Sequence, residues 1–183
     1  MFARTKRLTL RPAWPEDAAA IARAIGHEAV VRMLAKAPWP YCLADAEAFT
    51  ARRDQAGEAS FLILSHECEY PRLVGGIGLA PDDYGHELGY WLAPDAWGRG
   101  YATEAGQAVV AIARHALGLK RLHSGHFLDN PASGRVLHKL GFRPTGAVKG
   151  RYSAGRDAIA PCRLFELDLV ENAEADDSRA MAA

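Results

Sequence analysis

The chain has 183 residues, long enough for one domain with a substantial buried core, and 49% of them are hydrophobic and 24% charged. Its 22 Lys and Arg residues balance its 22 Asp and Glu residues, so overall charge gives no reason to expect binding to nucleic acid or to an anionic membrane. No apolar run reaches the ~18 residues of a membrane span, and the three widely spaced cysteines, without a Cys-x-x-Cys pair, favour a reducing cytoplasm.

The first part of the chain predicts one strand, three helices and a hairpin. Alternating leucines predict a strand over residues 7–11, and apolar side chains at helical spacing predict helices over 15–25, 28–34 and 45–56. Apolar runs then flank a polar turn, which predicts an antiparallel hairpin between residues 61 and 79. The glycines in its second strand lack a following helix, so they indicate a close backbone approach rather than a nucleotide loop.

A loop with two glycines, near the middle of the chain, predicts a phosphate site. A strand predicted over 87–92 leads into it, and a helix predicted over 102–117 leads out of it. Gly98 and Gly100 leave the backbone amides bare, and the helix directs its unpaired N–H groups and positive dipole end at the same turn. A turn of this kind can hold a phosphate or pyrophosphate group.

Two common nucleotide-binding motifs do not fit this loop. A P-loop needs Gly-Lys-Ser/Thr after the turn, and that tripeptide does not follow. A Rossmann fingerprint needs Gly or Ala where Thr103 stands, and an acidic residue about 20 positions further on, where Leu119-Lys120-Arg121 stands.

The last part of the chain predicts a strand, a helix and two further strands. A strand over 121–127 puts His123 and His126 on opposite faces, so this pair is not expected to bind a metal. Asn130 and Pro131 suit the N-cap and the first position of a helix, which ends at a glycine.

Together these elements predict one α/β domain over residues 1–170, with a central mixed sheet of about seven strands and helices on both faces. Its final two strands are predicted over 142–149 and 164–170. Residues 171–183 are dominated by Ala, Asp and Ser without periodicity, so we expect a disordered tail.

The stretch from Gly89 to Ala105 resembles the acetyl-CoA loop of the GNAT family of N-acetyltransferases, and more closely that of the family's RimJ/RimL-type branch. Trp97 replaces the Gln or Arg of the general pattern, as is usual in that branch, and Gly100 and Ala102 fill its small positions. Two further motifs match the family, over residues 130–142 and 7–12. The likeness therefore covers most of the chain.

The resemblance implies an acetyl-CoA-dependent N-acetyltransferase of the GNAT fold that uses no metal. Pantetheine would lie between the strands 87–92 and 121–127 and pair with the backbone of Leu92 and Ala93. The pyrophosphate would accept hydrogen bonds from the loop amides, with Arg99 adding positive charge. The implied cofactor-binding residues are Leu92, Ala93, Trp97, Gly98, Arg99, Gly100, Tyr101, Ala102, Thr103, Asn130 and Ser133.

Acetyl transfer requires that the amine loses a proton and that the departing thiolate is stabilised. Glu87, on the strand beside the cofactor, is the predicted general base, with His86 as the alternative; a solvated or ion-paired strand residue is an equal interpretation of Glu87. Leu137 stands where many family members place a Tyr for the leaving group. Ser133 matches a Ser that contacts the thiolate in the RimJ/RimL branch, and bonding to its local helix backbone is the competing interpretation.

The implied acceptor is a protein or peptide N-terminal α-amine, as in ribosomal-protein acetylation, or a small amine. Tyr152 and Arg156, in a loop predicted over 151–157, are candidates for binding it. Trp39 and Tyr41 form either a wall of the same pocket or a packed turn.

Direct transfer, without an acetyl-cysteine intermediate, is expected because Cys162 has no His at an informative spacing. The resemblance also implies a homodimer. The alternative function is a non-catalytic sensor that binds acyl-CoA.

Overall fold

The computed structural model describes residues 1–52 and 58–170. In these ranges its strands are β1 (Ala3–Arg4), β2 (Leu8–Arg11), β3 (Ala59–Ser65), β4 (Arg72–Asp82), β5 (Gly85–Leu92), β6 (Arg121–Phe127), β7 (Arg143–Ser153) and β8 (Ala158–Asp168). The α-helices are α1 (Ala18–Ile25), α2 (Glu28–Val31), α3 (Leu43–Ala51), α4 (Tyr101–Ala111) and α5 (Pro131–Lys139). None of the helices in the described ranges is long and apolar enough to cross a membrane.

The strands form one sheet in the order β1-β2-β3-β4-β5-β6-β8-β7. All neighbours in it run antiparallel except β5 and β6, which are parallel. Over their described lengths β5 and β6 are paired at a single position, where Glu87 lies opposite His123. The sheet is therefore least tightly joined at its β5–β6 boundary.

The predicted mixed α/β sheet with helices on both faces is confirmed, and β1 is an eighth strand, too short at two residues for periodicity to reveal it. β8 begins at Ala158, well before the predicted residue 164. The prediction started too late because the exposed first half of β8 lacks an apolar pattern. The helix predicted over 102–117 is α4, followed by a π turn over Ile112–Ala116. The helix predicted over 45–56 ends at Ala51; residues 53–57 and the predicted tail lie outside the described residues.

Two apolar layers enclose the sheet. The larger lies against α4 and α5 and includes the fully buried Tyr101, Phe142 and Phe165. The smaller lies against α1 and α3 and is built around Ile21 and Leu62. Because side chains alternate across a strand, successive residues of β5 face different layers, and each layer therefore has its own access to the β5–β6 boundary.

Gly75 on β4 shows how closely the backbone packs beside β5. A Cβ at this position would lie 2.2 Å from the carbonyl oxygen of Trp91 and 3.1 Å from the Cα of Leu92. Because backbone atoms cannot swing aside, we expect Gly75→Ala to lower the free energy of unfolding by about 1–3 kcal/mol, measured by chemical denaturation.

The matched control is Gly89→Ala on β5, where no described heavy atom beyond the chain neighbours lies within 4 Å of the added Cβ. We expect a change of at most about 0.5 kcal/mol in this variant. Equal losses of stability in the two variants would contradict the close-approach explanation.

Candidate active site

The divergence of β5 and β6 leaves a gap toward the carboxyl ends of both strands. Beyond Glu87 and His123 no backbone register joins them in the described residues. Where the gap begins, the Ser124 hydroxyl donates to the Leu88 carbonyl at 2.8 Å, in place of the amide that a paired strand would supply. The following part of β5 therefore presents a backbone edge with which an extended ligand bearing amide groups can pair.

The loop between β5 and α4 turns at its two glycines. Gly98 has φ 75° and Gly100 has φ 79°, in the left-handed region that glycine adopts readily. α4 begins at the next residue, so the unpaired amides and positive end of the helix point at the loop. The exposed segment 97–100 thus has the geometry of a phosphate-binding turn.

Tyr101 anchors this turn from inside the protein. Its side chain is 1% exposed, and its hydroxyl accepts a hydrogen bond from Ser65 at 3.1 Å and donates one to the Glu67 carboxylate. The side chain of Ala102 is also buried. Of the predicted cofactor contacts, Tyr101 and Ala102 can therefore offer backbone amides but not side chains.

Two arginines place positive charge beside the loop. The guanidinium carbons of Arg7 and Arg99 lie 5.0 and 5.3 Å from the centre of the Tyr101 ring. Arg7 also donates to the carbonyl oxygen of Arg99 at 3.1 Å, so it fixes the loop backbone. The Arg99 side chain is 46% exposed and lies 3.5 Å from Glu67, which leaves it accessible to an anion.

Glu104, in the first turn of α4, ties this helix to the N-terminal segment. Its carboxylate accepts hydrogen bonds from the Thr5 hydroxyl at 2.6 Å and from the Arg7 Nε at 2.7 Å. Burial raises the pKa of Glu104, but the hydrogen bonds from Thr5 and Arg7 outweigh it and hold that pKa below its usual value. Glu104 is therefore ionised at neutral pH and keeps Arg7 in place.

Three predicted contacts at the end of β5 already have partners within the chain. The Ala93 N–H donates to the Val74 carbonyl at 2.9 Å, toward β4 and away from the gap. The Trp97 indole N–H donates to the Leu92 carbonyl at 2.9 Å. Because alternate amides of a strand point to opposite edges, the Leu92 amide faces the gap and the Ala93 amide faces β4. The predicted pairing of pantetheine with the backbone of Leu92 and Ala93 stays a prediction.

Ser133 and Tyr90 form a pair of hydroxyls beside the gap. Asn130 caps α5 as predicted, because its side-chain oxygen accepts from the Ser133 amide at 3.2 Å. The Ser133 hydroxyl lies 2.7 Å from that of Tyr90, which also donates to the Ser133 carbonyl at 3.0 Å. Burial raises the pKa of Tyr90 to about 12 against the opposing hydrogen bond from Ser133, so the phenol is protonated at neutral pH.

Glu87 lies where β5 and β6 begin to part, and its carboxylate is paired. Both of its oxygens accept from the Arg151 guanidinium on β7, one of them at 2.8 Å. The hydrogen bond to Glu87 raises the pKa of Arg151 above its usual value, so Arg151 stays charged. Because Arg151 occupies both carboxylate oxygens, the geometry favours an ion pair over a general base. His86 faces the opposite side of β5.

The remaining titratable side chains near the gap do not point to metal or thiol chemistry. His123 bonds Asp82 at 3.0 Å, whereas the ring of His126 packs against Phe165 on the other face. No group of three His, Cys, Asp or Glu side chains in residues 1–52 and 58–170 is placed to hold a metal ion. Burial raises the pKa of the Cys162 thiol, which keeps it protonated and poorly nucleophilic.

Arg156, predicted to bind the acceptor, has structural partners instead. Its guanidinium bonds both carboxylate oxygens of Asp129 at 2.8 and 2.9 Å and lies 4.8 Å from the centre of the Phe127 ring. Its side chain is only 14% exposed. The Arg156 donors are thus engaged within the chain, and binding of the acceptor by Arg156 stays a prediction.

The other predicted acceptor residues differ in exposure. Tyr152 lies at the end of β7 rather than in a loop, is 53% exposed, and donates to Asp157 at 2.6 Å. Trp39 is 44% exposed, whereas Tyr41 packs against the apolar layer of α1 and α3. Trp39 and Tyr152 are thus exposed and Tyr41 is packed, and their contact with an acceptor stays a prediction.

The turn between β7 and β8 docks onto the segment after α2. The Ser153 hydroxyl donates to the Leu34 carbonyl at 2.7 Å, and the Ala154 amide donates to the Ala35 carbonyl at 2.9 Å. A Cβ on Gly155 would lie 2.7 Å from the Val31 carbonyl oxygen. This contact fixes the hairpin across the face that carries Glu87.

Sequence reasoning did not identify Arg7, Tyr90 or Arg151 as individual site residues. Tyr90 gave a usable signal, because it shares its face of β5 with apolar residues, where a phenol needs a hydrogen-bond partner. Arg7 and Arg151 gave none, since the carboxylates that they bind lie 97 and 64 residues away in the chain.

Comparison with known proteins places this site in a family context. A family model described as "Acetyltransferase (GNAT) domain" matches residues 7–143. The chain is 40% identical over 80 residues to "Uncharacterized N-acetyltransferase YoaA" of Bacillus subtilis (strain 168), a match that covers 42% of this chain and only 45% of that protein.

Solved structures share the fold over almost the whole chain. A GNAT-family acetyltransferase from Bacillus anthracis superimposes with a TM-score of 0.79 at 23% identity, covering 93% of this chain and all of that one. "RimL- Ribosomal L7/L12 alpha-N-protein acetyltransferase", solved with coenzyme A, superimposes with a TM-score of 0.75 at 16% identity, covering 92% of this chain and 98% of that one.

Proposed function

The chain belongs to the GNAT acetyltransferase family, and on that basis we propose that it transfers acetyl directly from acetyl-CoA to a primary amine, with a protein or peptide N-terminal α-amine as the favoured acceptor. The observation that carries this proposal is the gap between β5 and β6 beside the loop of Gly98 and Gly100. Membership of the family supports acetyl transfer with acetyl-CoA as the donor. The acceptor and the roles of individual residues are our proposal.

The residues of the site fit coenzyme A. The amides from Gly98 to Thr103 surround a turn suited to pyrophosphate, and the exposed Arg99 adds charge there. The edge of β5 at Leu92 suits the amides of the pantetheine arm. The bound cofactor supplies an acetyl group activated as a thioester.

The pairing of Glu87 with Arg151 bears on the acceptor class. Without a strong base, the reactive amine must come from the fraction that is already neutral in water. For an α-amine with a pKa of about 8 this fraction is roughly a tenth or more at neutral pH, whereas for a lysine with a pKa of about 10.4 it is below about 0.1%. We therefore favour an α-amine, which Glu87 attracts as its ammonium form in equilibrium with the neutral amine. Only the neutral amine reacts, and water accepts the proton that is released.

Two further features receive roles in the proposed reaction. Ser133 donates a hydrogen bond to the thiolate that leaves as the acetyl group is transferred. Trp39 and Tyr152, both exposed, contact the acceptor. The RimL neighbour is named as an α-N-protein acetyltransferase, which supports the RimJ/RimL-type branch and a peptide acceptor.

The direct test incubates the purified full chain with acetyl-CoA and a library of peptides with free N-termini, alongside small amines. We expect release of CoA and acetylation at the peptide α-amine, detected by a thiol reagent and by mass spectrometry. Release with small amines alone would overturn the peptide proposal. Tight CoA binding without release from any acceptor would support the sensor function instead.

Gly100→Ala tests the phosphate turn. The new side chain strains a backbone at φ 79°, at a cost of about 1–2 kcal/mol, and displaces the loop amides. We therefore expect the KM for acetyl-CoA to rise about tenfold with kcat little changed. Gly118→Ala is the matched control, because it imposes the same kind of strain at φ 62° after the π turn, away from the loop. An equal rise in KM in both variants would contradict the assignment.

Glu87→Gln distinguishes two roles for Glu87: a general base that removes a proton from the amine, and a negative charge that attracts the ammonium form of the acceptor. With water as the proton acceptor, we expect kcat/KM to fall about tenfold while the acidic limb of its pH profile, set by the amine, remains. A loss of about 10²–10⁴-fold together with disappearance of that limb would return the base role to Glu87. Steady-state rates between pH 6 and 9, roughly the range in which an α-amine titrates, provide the measurement.

A further inference from the structure

Tyr90 carries a hydroxyl that packing alone does not require. Its ring contacts the apolar layer between the sheet and α4–α5, where a phenylalanine would fill the same space. Its hydroxyl is directed at one residue, Ser133, at 2.7 Å from the side-chain oxygen and 3.0 Å from the carbonyl. Because burial of a polar atom is costly, this hydroxyl points to a role shared with Ser133.

The backbone around Ser133 is held firmly. The Ser133 amide donates to both the side-chain and the main-chain oxygen of Asn130, each at 3.2 Å. At the next position a Cβ on Gly134 would lie 2.6 Å from the His126 ring, so this ring packs directly against the helix backbone. The first turn of α5 is therefore fixed, and the direction of the Ser133 O–H remains to be set by its hydroxyl partner.

The two hydroxyls allow two hydrogen arrangements. In one, Tyr90 donates to the Ser133 carbonyl and the Ser133 hydroxyl donates back to the phenol oxygen. In the other, Tyr90 donates to the Ser133 hydroxyl oxygen, which frees the serine proton to point elsewhere. A negative charge arising beside Ser133 favours the second arrangement, because it attracts the freed proton.

On the basis of the proposed acetyl transfer, we propose that Tyr90 is a positioning residue that turns the Ser133 hydroxyl proton toward the departing CoA thiolate. As the amine nitrogen bonds to the acetyl carbon, the carbon–sulfur bond breaks and its electron pair stays on sulfur. Ser133 then donates to the sulfur and Tyr90 donates to Ser133. The surplus proton leaves the nitrogen for water.

The phenol assists this step without giving up its proton. Its pKa of about 12 lies more than three units above the pKa of a thiol, about 8.5. Full proton transfer from Tyr90 through Ser133 to sulfur is therefore unfavourable by at least about a thousandfold. The pair stabilises an anionic product by hydrogen bonding, which separates its role from that of a general acid.

Tyr90→Phe, Ser133→Ala and the double variant form the kinetic test. We expect Tyr90→Phe to lower kcat about tenfold with the KM for acetyl-CoA within about twofold, because one charge-assisted hydrogen-bond chain is broken. Since Tyr90 acts through Ser133, the double variant should be no slower than Ser133→Ala alone. Multiplicative losses in the double variant would overturn the proposal.

A second readout requires only that CoA binds. The thiol pKa of bound CoA, followed by the ultraviolet absorbance of the thiolate, should lie about one unit below that of free CoA, and Tyr90→Phe should raise it. An unchanged thiol pKa in Tyr90→Phe would overturn the proposal, whatever the turnover. Failure of every amine to react would overturn the proposed function while this titration still decides the role of Tyr90.

Tyr84→Phe is the matched control, because it removes a phenol that is 80% exposed on the turn between β4 and β5. It should leave both kcat and the bound-thiol pKa unchanged. Thermal melting of each variant shows whether the fold is kept. Should Tyr90→Phe fail to fold, Ser133→Ala tests the proposal by the same titration: an unchanged thiol pKa overturns it, because Tyr90 acts only through Ser133.

Discussion

The site depends on one constraint: hydrogen-bonding groups along a strand inside a sheet need partners. In the part of the chain that the structure describes, β5 and β6 meet that need together only at Glu87 and His123, and then separate. The Ser124 hydroxyl donates a hydrogen bond to the carbonyl of Leu88, and the Trp97 indole N–H donates one to the carbonyl of Leu92. The edge of β5 between Leu88 and Leu92 is left for a ligand whose amide groups can form the hydrogen bonds of a neighbouring strand. Binding of the pantetheine arm would therefore complete the sheet as well as deliver the acetyl group.

The phosphate turn is held from two sides. From inside, Tyr101 fills the core with its ring and secures its hydroxyl to the β3–β4 connection through Glu67. From outside, Arg7 donates a hydrogen bond to the carbonyl of Arg99 in the loop, and the Glu104 carboxylate accepts another from Arg7. Arg7 and Arg99 thus each have a carboxylate close by, which limits repulsion between the two arginines before the ligand arrives. A chain with no net charge can in this way keep a local site for a strongly anionic cofactor.

The sequence predicts well those features of the structure that depend on residues close together in the chain. The glycine turn into α4 and the Asn130 cap of α5 are local devices, and the structure has both where expected. The partners of Glu87 and Arg156 depend instead on distant strands. Glu87 meets Arg151 because the long β7–β8 hairpin crosses its face, and Arg156 meets Asp129 for the same reason. The exposed first half of β8 carries no apolar pattern, so neither pairing could be foreseen.

The docking of the β7–β8 turn onto the backbone after α2 has a consequence for how such a protein can diversify. Its contacts run from Ser153 and Ala154 to main-chain carbonyls, which every amino acid possesses. Side chains of the segment after α2 can thus be exchanged while these acceptor atoms remain and the hairpin stays seated. The seat of the hairpin is therefore insensitive to the side chains of the segment on which it rests, and it depends on the Ser153 hydroxyl and the Ala154 amide as its donors.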